Sequence, residues 1–136
     1  MPGDDVRGVF ADLHCHSSAS FDSLSRPGDL VRLAHERGLT HLAITDHERI
    51  DGALAARDLA PQGLTVIVGE EVRSTDGDVI GLYLERSVPP GLSALETIAA
   101  NGLRSCYIRP LVFRGEGPMG LSPLDSPVDV IIACWE

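Results

Sequence analysis

Three short apolar runs constrain the fold of this chain more than any other feature. They cover residues 9–11, 42–44 and 64–68, and polar, helix-like segments separate them. Short runs rich in β-branched residues are typical of strands, and we expect these strands to be buried on both faces of a sheet. The order strand, helix, strand, helix, strand favours parallel pairing through right-handed crossovers, and so an α/β fold class.

The two segments between the runs carry helix signals. Residues 26–29 read Arg-Pro-Gly-Asp and open a segment with apolar residues at helical spacing, which Gly38 ends. The second segment runs from Asp51 to Leu59, is rich in alanine and leucine, and is closed by Pro61. Both segments are predicted to be helices.

A polar motif follows each apolar run. The motifs are Asp-Leu-His-Cys-His at residues 12–16, Thr-Asp-His at 45–47 and Gly-Glu-Glu at 69–71. Ligands of parallel α/β sheets and barrels bind beyond the carboxyl ends of the strands, so we expect the three motifs at one edge. His-x-His on an extended segment points both imidazoles to one face. Because imidazole and carboxylate together suit zinc, iron or manganese, the sequence predicts a metal site.

On these motifs, residues 1–95 resemble the PHP (polymerase and histidinol phosphatase) domain, a distorted β/α barrel of metal-dependent phosphoesterases. The resemblance implies zinc, manganese or iron ions as cofactors, with Glu71 bridging two ions. It implies a small phosphorylated substrate that is hydrolysed by metal-activated water. The metal ligands that it implies are His14, His16, His47, Glu71, Asp22 and Asp78.

Two of these ligands depart from the family pattern or have an alternative. The family usually has Ser-Asp-Gly where residues 20–23 read Ser-Phe-Asp-Ser, so that Asp22 is displaced by one position. Asp78 is a metal ligand or, alternatively, a turn residue that follows residues 76–77.

Neighbours of the ligands have expected roles of their own. Asp12 and Asp46 are predicted to orient imidazoles by accepting their other ring N–H, with a capping or loop role as the alternative. Glu70 and Glu71 alternate on a strand, so only one faces the site, and the pattern favours Glu71. Cys15 lies between two ligands and is predicted to pack away from the metal.

The length of the chain limits this resemblance. The last histidine is His47, and the family's later ligands, in a Pro-His-Pro-like motif and an Asp-x-His motif, are absent. A complete barrel needs roughly 200 or more residues, whereas the chain has 136. We therefore expect a partial barrel with impaired activity, or a noncatalytic metal-binding remnant.

A second resemblance covers residues 96–136, which carry Ser-Cys-Tyr-Ile-Arg-Pro-Leu and a β-rich stretch at residues 127–133. This segment resembles part of the small domain of branched-chain aminotransferases, fold-type IV enzymes that use pyridoxal phosphate. The resemblance implies that Tyr107 and Arg109 line a substrate pocket, and an ordinary extended strand is the favoured alternative. Pyridoxal phosphate requires a lysine for its Schiff base. All 11 lysine-plus-arginine residues are arginines, so the chain cannot be a complete aminotransferase.

The junction of the two segments is expected between Leu95 and Gly102. A natural fusion, a misassembled reading frame and a deliberate fusion all remain open, and the last residues favour a truncated chain. Two partial domains would expose apolar faces, so we expect marginal stability or self-association.

Charge, apolar stretches and cysteine content limit the expected partners and cellular location of the chain. The net charge of −9 argues against broad nucleic-acid binding. The sequence has no apolar stretch of eighteen residues, and three cysteines without a CxxC pair give no disulfide framework. We expect a cytoplasmic protein without a membrane partner.

Overall fold

The computed structural model describes residues 8–100, 102, 107–114 and 128–135, the last two ranges as strand backbone. Within these ranges the chain forms six strands and three helices. The strands are β1 (Ala11–Asp12), β2 (His41–Ile44), β3 (Thr65–Ser74), β4 (Gly77–Leu82), β5 (Tyr107–Arg114) and β6 (Val128–Trp135). The helices are α1 (Pro27–Glu36), α2 (Asp51–Asp58) and α3 (Ala94–Ala100).

The strands form one sheet in the order β1-β2-β3-β4-β6-β5. β1 pairs with β2 in parallel, and so does β2 with β3, as the alternation of strands and helices predicts. β3 and β4 form an antiparallel hairpin that the sequence patterns did not predict. β4 pairs with β6 in parallel, and β6 with β5 antiparallel. The result is a mixed α/β fold whose sheet curls into half a barrel, and the predicted fold class is confirmed at this level.

The residues predicted to begin and end the helices lie at or near the ends of the observed helices. α1 begins at Pro27, whose missing N–H costs nothing in the first turn of a helix. Gly38 follows the helix with a φ of 77°, a left-handed conformation that suits glycine at a helix end. α2 ends at Asp58, before Pro61. Both predicted helices are therefore confirmed.

The core lies between the two helices and one face of the sheet. Val31 and Ala34 of α1 and Ala53 and Ala56 of α2 are buried in it. Alternate residues of β2 and β3 meet them, because side chains of a strand point to opposite faces in turn. The cluster also contains Leu42 and Ile44 of β2, Val66 and Val68 of β3, and Leu64 directly before β3.

The prediction of burial is wrong for the first apolar run. Val9 is 72% exposed and Phe10 is 64% exposed, and both residues of β1 are exposed. β1 is only two residues long and lies at the edge of the sheet, where it pairs with β2 alone. β2 and β3 are largely buried, as predicted.

For the segment of the second resemblance, the structure describes mainly the backbone. α3 covers most of the stretch in which the junction is expected, and β5 and β6 are extended strands. The boundary between residues 95 and 96 stays a prediction. No helix in the ranges given above is long and apolar enough to cross a membrane.

Gly52, in the first turn of α2, provides a test of the packing. A Cβ atom there would overlap Oδ2 of Asp46 and Oγ of Ser17, both of which are fully buried. We expect Gly52→Ala to lower the free energy of unfolding by about 1–3 kcal/mol, the usual cost of overpacking.

Gly28→Ala is the matched control, because a Cβ atom at this position of α1 would meet only Leu59 Cδ1 at 3.4 Å. Alanine favours helix over glycine, so this variant should be neutral or slightly more stable. Urea denaturation of both variants measures the difference. Equal stabilities would contradict the packing described for α2.

Candidate metal centre

Backbone hydrogen bonds hold the three polar motifs together. The N–H of Thr45 donates to the carbonyl of Cys15 at 2.8 Å, which links the first motif to the second. The N–H of Glu71 donates to the carbonyl of Asp46 at 3.2 Å, and the N–H of Glu48 donates to the carbonyl of Glu71 at 3.0 Å, which links the second motif to the third. The sheet thus continues past the end of β2, and the motifs meet at one edge.

Three side-chain atoms converge at this edge. Nε2 of His14 lies 3.0 Å from Nε2 of His16, and both nitrogens lie close to Oε2 of Glu71, at 3.0 Å and 2.9 Å. The Glu71 side chain is only 9% exposed. The three atoms form a nearly equilateral triangle, and His14, His16 and Glu71 are a group suited to hold a metal ion.

Hydrogen bonds alone cannot account for this triangle. An imidazole nitrogen carries either one N–H or one lone pair, so each Nε2 can take part in one well-directed hydrogen bond. Two nitrogens therefore satisfy at most two of the three contacts. A cation bound at about 2.0–2.1 Å by each atom satisfies all three, because neighbouring ligands of one ion lie about 3 Å apart. The residues present fit a divalent metal ion.

A second group adjoins the first and shares His16. Nδ1 of His16 lies 2.7 Å from Oδ2 of Asp22, and the same oxygen lies 3.4 Å from Nε2 of His47. Nε2 of His47 lies 3.9 Å from Oε2 of Glu71. His16, Asp22 and His47 also form a group suited to a metal ion. His16 therefore has one ring nitrogen in each group.

The electrostatics of the two groups follow from these contacts. The hydrogen bond with Glu71 is the main cause that raises the pKa of His16 from 6.5 to about 9, against the opposing effect of burial. Burial alone would raise the pKa of Glu71, but hydrogen bonds with His14 and His16 lower it to about 2. Burial likewise opposes the shift of Asp22, whose pKa falls to about 2 through hydrogen bonds with Ser20 and His16.

The two aspartates beside the ligands bind the loop backbone. Oδ1 of Asp12 accepts the backbone N–H of His14 at 3.1 Å. The fully buried Asp46 accepts both the N–H and the hydroxyl of Ser17, each at 2.6 Å. The hydrogen bonds found for these carboxylates match the loop role, which was the alternative to orienting an imidazole.

The structure does not bring Asp78 into either group. Asp78 lies on β4 opposite Arg73, and the Arg73 Nε and Asp78 Oδ1 atoms are 3.7 Å apart. The hairpin register sets this position, because Glu71 pairs with Ile80 instead. Tyr107 and Arg109 lie on the backbone of β5, and their side chains fall outside the described residues. A role for them stays a prediction.

Glu70 points away from the site, as the alternation along the strand predicts. Its two oxygens accept the Ser87 hydroxyl at 2.5 Å and the Val88 N–H at 2.8 Å, and the side chain is fully buried. Burial raises the pKa of Glu70 despite these hydrogen bonds. Residues 86–91 form neither helix nor strand, and Glu70 fixes the middle of this segment to β3. Cys15 packs against the core, as predicted.

Phe21 is a neighbour of the site that the motifs did not indicate. Its ring stacks on the His47 ring, with centroids 4.9 Å apart and an interplanar angle of 22°. The only signal in the sequence is its position, directly before Asp22.

Comparisons with known proteins show the family of this chain. The family model described as PHP domain matches residues 12–105, most of the chain, and the chain belongs to the PHP domain family. An uncharacterized protein of Methanocaldococcus jannaschii is 36% identical over 99 residues, which is 65% of this chain and 58% of the relative.

Two further relatives have names that describe an activity. A protein of Haemophilus influenzae called 5'-3' exoribonuclease is 35% identical over 92 residues, 63% of this chain and 33% of the relative. An error-prone DNA polymerase of Cutibacterium acnes is 48% identical over 65 residues, 46% of this chain and 6% of the relative. The chain thus spans 58% or less of each of these relatives. The family match includes residues 96–105, and the aminotransferase resemblance gains no support.

The shifted pKa of His16 makes the stability of the metal-free chain depend on pH. A histidine whose pKa is higher in the folded than in the unfolded state stabilises the fold when it is protonated. This contribution of His16 is complete below pH 6.5 and is lost as the pH rises towards 9. We expect urea denaturation in the presence of a chelator to show falling stability over this window. His16→Gln should remove that part of the fall, while His35→Gln, on the exposed surface of α1, should retain it. An unchanged pH dependence in His16→Gln would contradict the ion pair between His16 and Glu71.

Proposed function

We propose that this chain is a metal-dependent phosphoesterase domain that hydrolyses a small phosphorylated substrate. The observation that carries the proposal is the triangle of His14 Nε2, His16 Nε2 and Glu71 Oε2, in which each pair of atoms lies about 3 Å apart. Membership of the PHP domain family supports it independently. Both lines point to a divalent cation, and zinc, manganese and iron all suit these ligands.

The three side chains would hold the cation, and each has a defined part. Glu71 brings the negative charge, and its low pKa keeps it ionised throughout the neutral range. His14 and His16 bind through Nε2 and add no charge, so the ion retains a net positive charge. A divalent ion in such a site lowers the pKa of water and offsets the charge on a phosphate.

Asp22 would fix the orientation of the His16 ring. A metal-binding imidazole commonly donates its other N–H to a carboxylate, which sets both tautomer and ring orientation. The 2.7 Å contact between His16 Nδ1 and Asp22 Oδ2 has this form. The same carboxylate oxygen lies near His47 Nε2, so Asp22 and His47 are also the residues that would hold a second ion, and Glu71 Oε2 lies 3.9 Å from His47 Nε2.

The charge of the site and the names of two relatives both bear on the kind of substrate that the domain would bind. A cation beside neutral imidazoles attracts phosphate locally, even though the chain has a net charge of −9. The names of the exoribonuclease and polymerase relatives favour a nucleotide as the small phosphorylated substrate. A noncatalytic metal-binding domain is the second candidate, because the two ligand groups can hold ions without any turnover.

Hydrolysis of p-nitrophenyl phosphate and its bis-ester, with manganese, zinc or iron added to the chain, tests the proposal. We expect activity that a chelator abolishes and that His14→Ala lowers at least about 100-fold, since changing even an outer partner of a ligand often costs 10- to 100-fold. His35→Ala is the matched control and should keep full activity. Metal binding without turnover by any of the three metals would favour the noncatalytic candidate.

A further inference from the structure

Phe21 is largely exposed, and one face of its ring lies against a candidate metal ligand. The residue is 83% exposed, and its ring stacks on His47. The opposite face of the ring is therefore open to solvent, directly beside the candidate metal ligands.

The loop that carries Phe21 is held in place. The N–H of Ser18 donates to the carbonyl of Ser25 at 2.7 Å and closes the loop at its base. The Ser23 hydroxyl donates to the carbonyl of His16 at 2.9 Å, and Asp22 contacts the His16 ring. Because the loop is fixed before any ligand arrives, little conformational entropy is lost when a ligand stacks on the ring.

We propose that Phe21 is the base-binding platform of the site, on which the base of the proposed nucleotide substrate stacks. This inference rests on the proposed function, because the phosphate is held at the His14, His16 and Glu71 triangle. The nucleobase lies on the open face of Phe21, and His47, Phe21 and the base form one stack of three rings. Phe21 is a specificity-determining residue and takes no part in bond cleavage.

The spacing of the rings favours a nucleoside over a directly attached aryl group. Phe21 stacks outside His47, and His47 Nε2 is itself 3.9 Å from Glu71 Oε2. Phe21 therefore adjoins the ligand triangle through His47. A ribose between base and phosphate gives a nucleotide a longer reach than a ring bonded directly to the phosphate oxygen. Stacking also offers affinity that does not depend on charge, which suits an anionic chain.

Equilibrium binding of two ligands tests this assignment. Adenosine 5′-monophosphate and ribose 5-phosphate share sugar and phosphate and differ only in the base. With the manganese-loaded chain, calorimetry should give a dissociation constant about 5- to 140-fold lower for the nucleotide, the range expected for one stacked base. Phe21→Ala should remove this preference and leave ribose 5-phosphate binding unchanged. Phe21→Trp should keep it.

Two further variants separate stacking from general apolar contact. Phe21→Leu retains an apolar side chain without a ring and should lose most of the preference. Leu24→Ala changes a residue of the same loop that is 97% exposed, and it should keep the preference. Metal content is measured for every variant to show that the ligand triangle is intact.

The outcomes distinguish the two proposals. Equal affinity for both ligands, or a preference that survives Phe21→Ala, overturns the platform while phosphate-ester hydrolysis still supports the proposed function. A preference that depends on Phe21, without any release of inorganic phosphate, supports the platform and counts against hydrolysis. Binding of neither ligand to the metal-loaded chain overturns the platform and removes the phosphate site on which it rests.

Discussion

The site depends on one buried interaction, between Asp46 and Ser17. Asp46 follows β2 and is adjacent to His47, and Ser17 is adjacent to His16, so their two hydrogen bonds of 2.6 Å tie the first motif to the second. Both side chains are fully buried, and a buried carboxylate requires such partners. The absence of a side chain at Gly52 leaves the space for them. Asp46 is not part of the ligand triangle, but it thereby fixes the positions of the residues that are.

Two adjacent glutamates show how strand alternation divides structural from chemical roles. Glu70 is buried against Ser87 and Val88, and its pKa is raised by burial. Glu71 faces two histidines, and its pKa is lowered despite burial. The same residue type in consecutive positions therefore has opposite electrostatic surroundings. One carboxylate fixes a loop to the sheet, and the other provides the charge that a cation requires.

The sequence predicts the parts of this structure that follow from local rules. Pro27 and Gly38 bound a helix, and three motifs at strand ends meet because parallel strands end at one edge. Contacts between residues that are far apart in sequence cannot be predicted from such local rules. Because 29 residues separate Ser17 from Asp46, the sequence offered the loop role of the aspartate only as an alternative and did not indicate its partner. Asp78 is placed beside Arg73 by the register of a hairpin, and the turn signal at residues 76–77 does not by itself fix that register.

The central claim is that His14 and His16 belong to one metal site. Equilibrium dialysis against manganese or zinc, followed by elemental analysis, tests it directly on the whole chain and on its His14→Ala, His16→Ala double variant. The account predicts at least one equivalent of metal in the unaltered chain and its loss in the double variant, with His35→Ala as a control that retains it. No bound metal in the unaltered chain, or equal metal in the double variant, would contradict it.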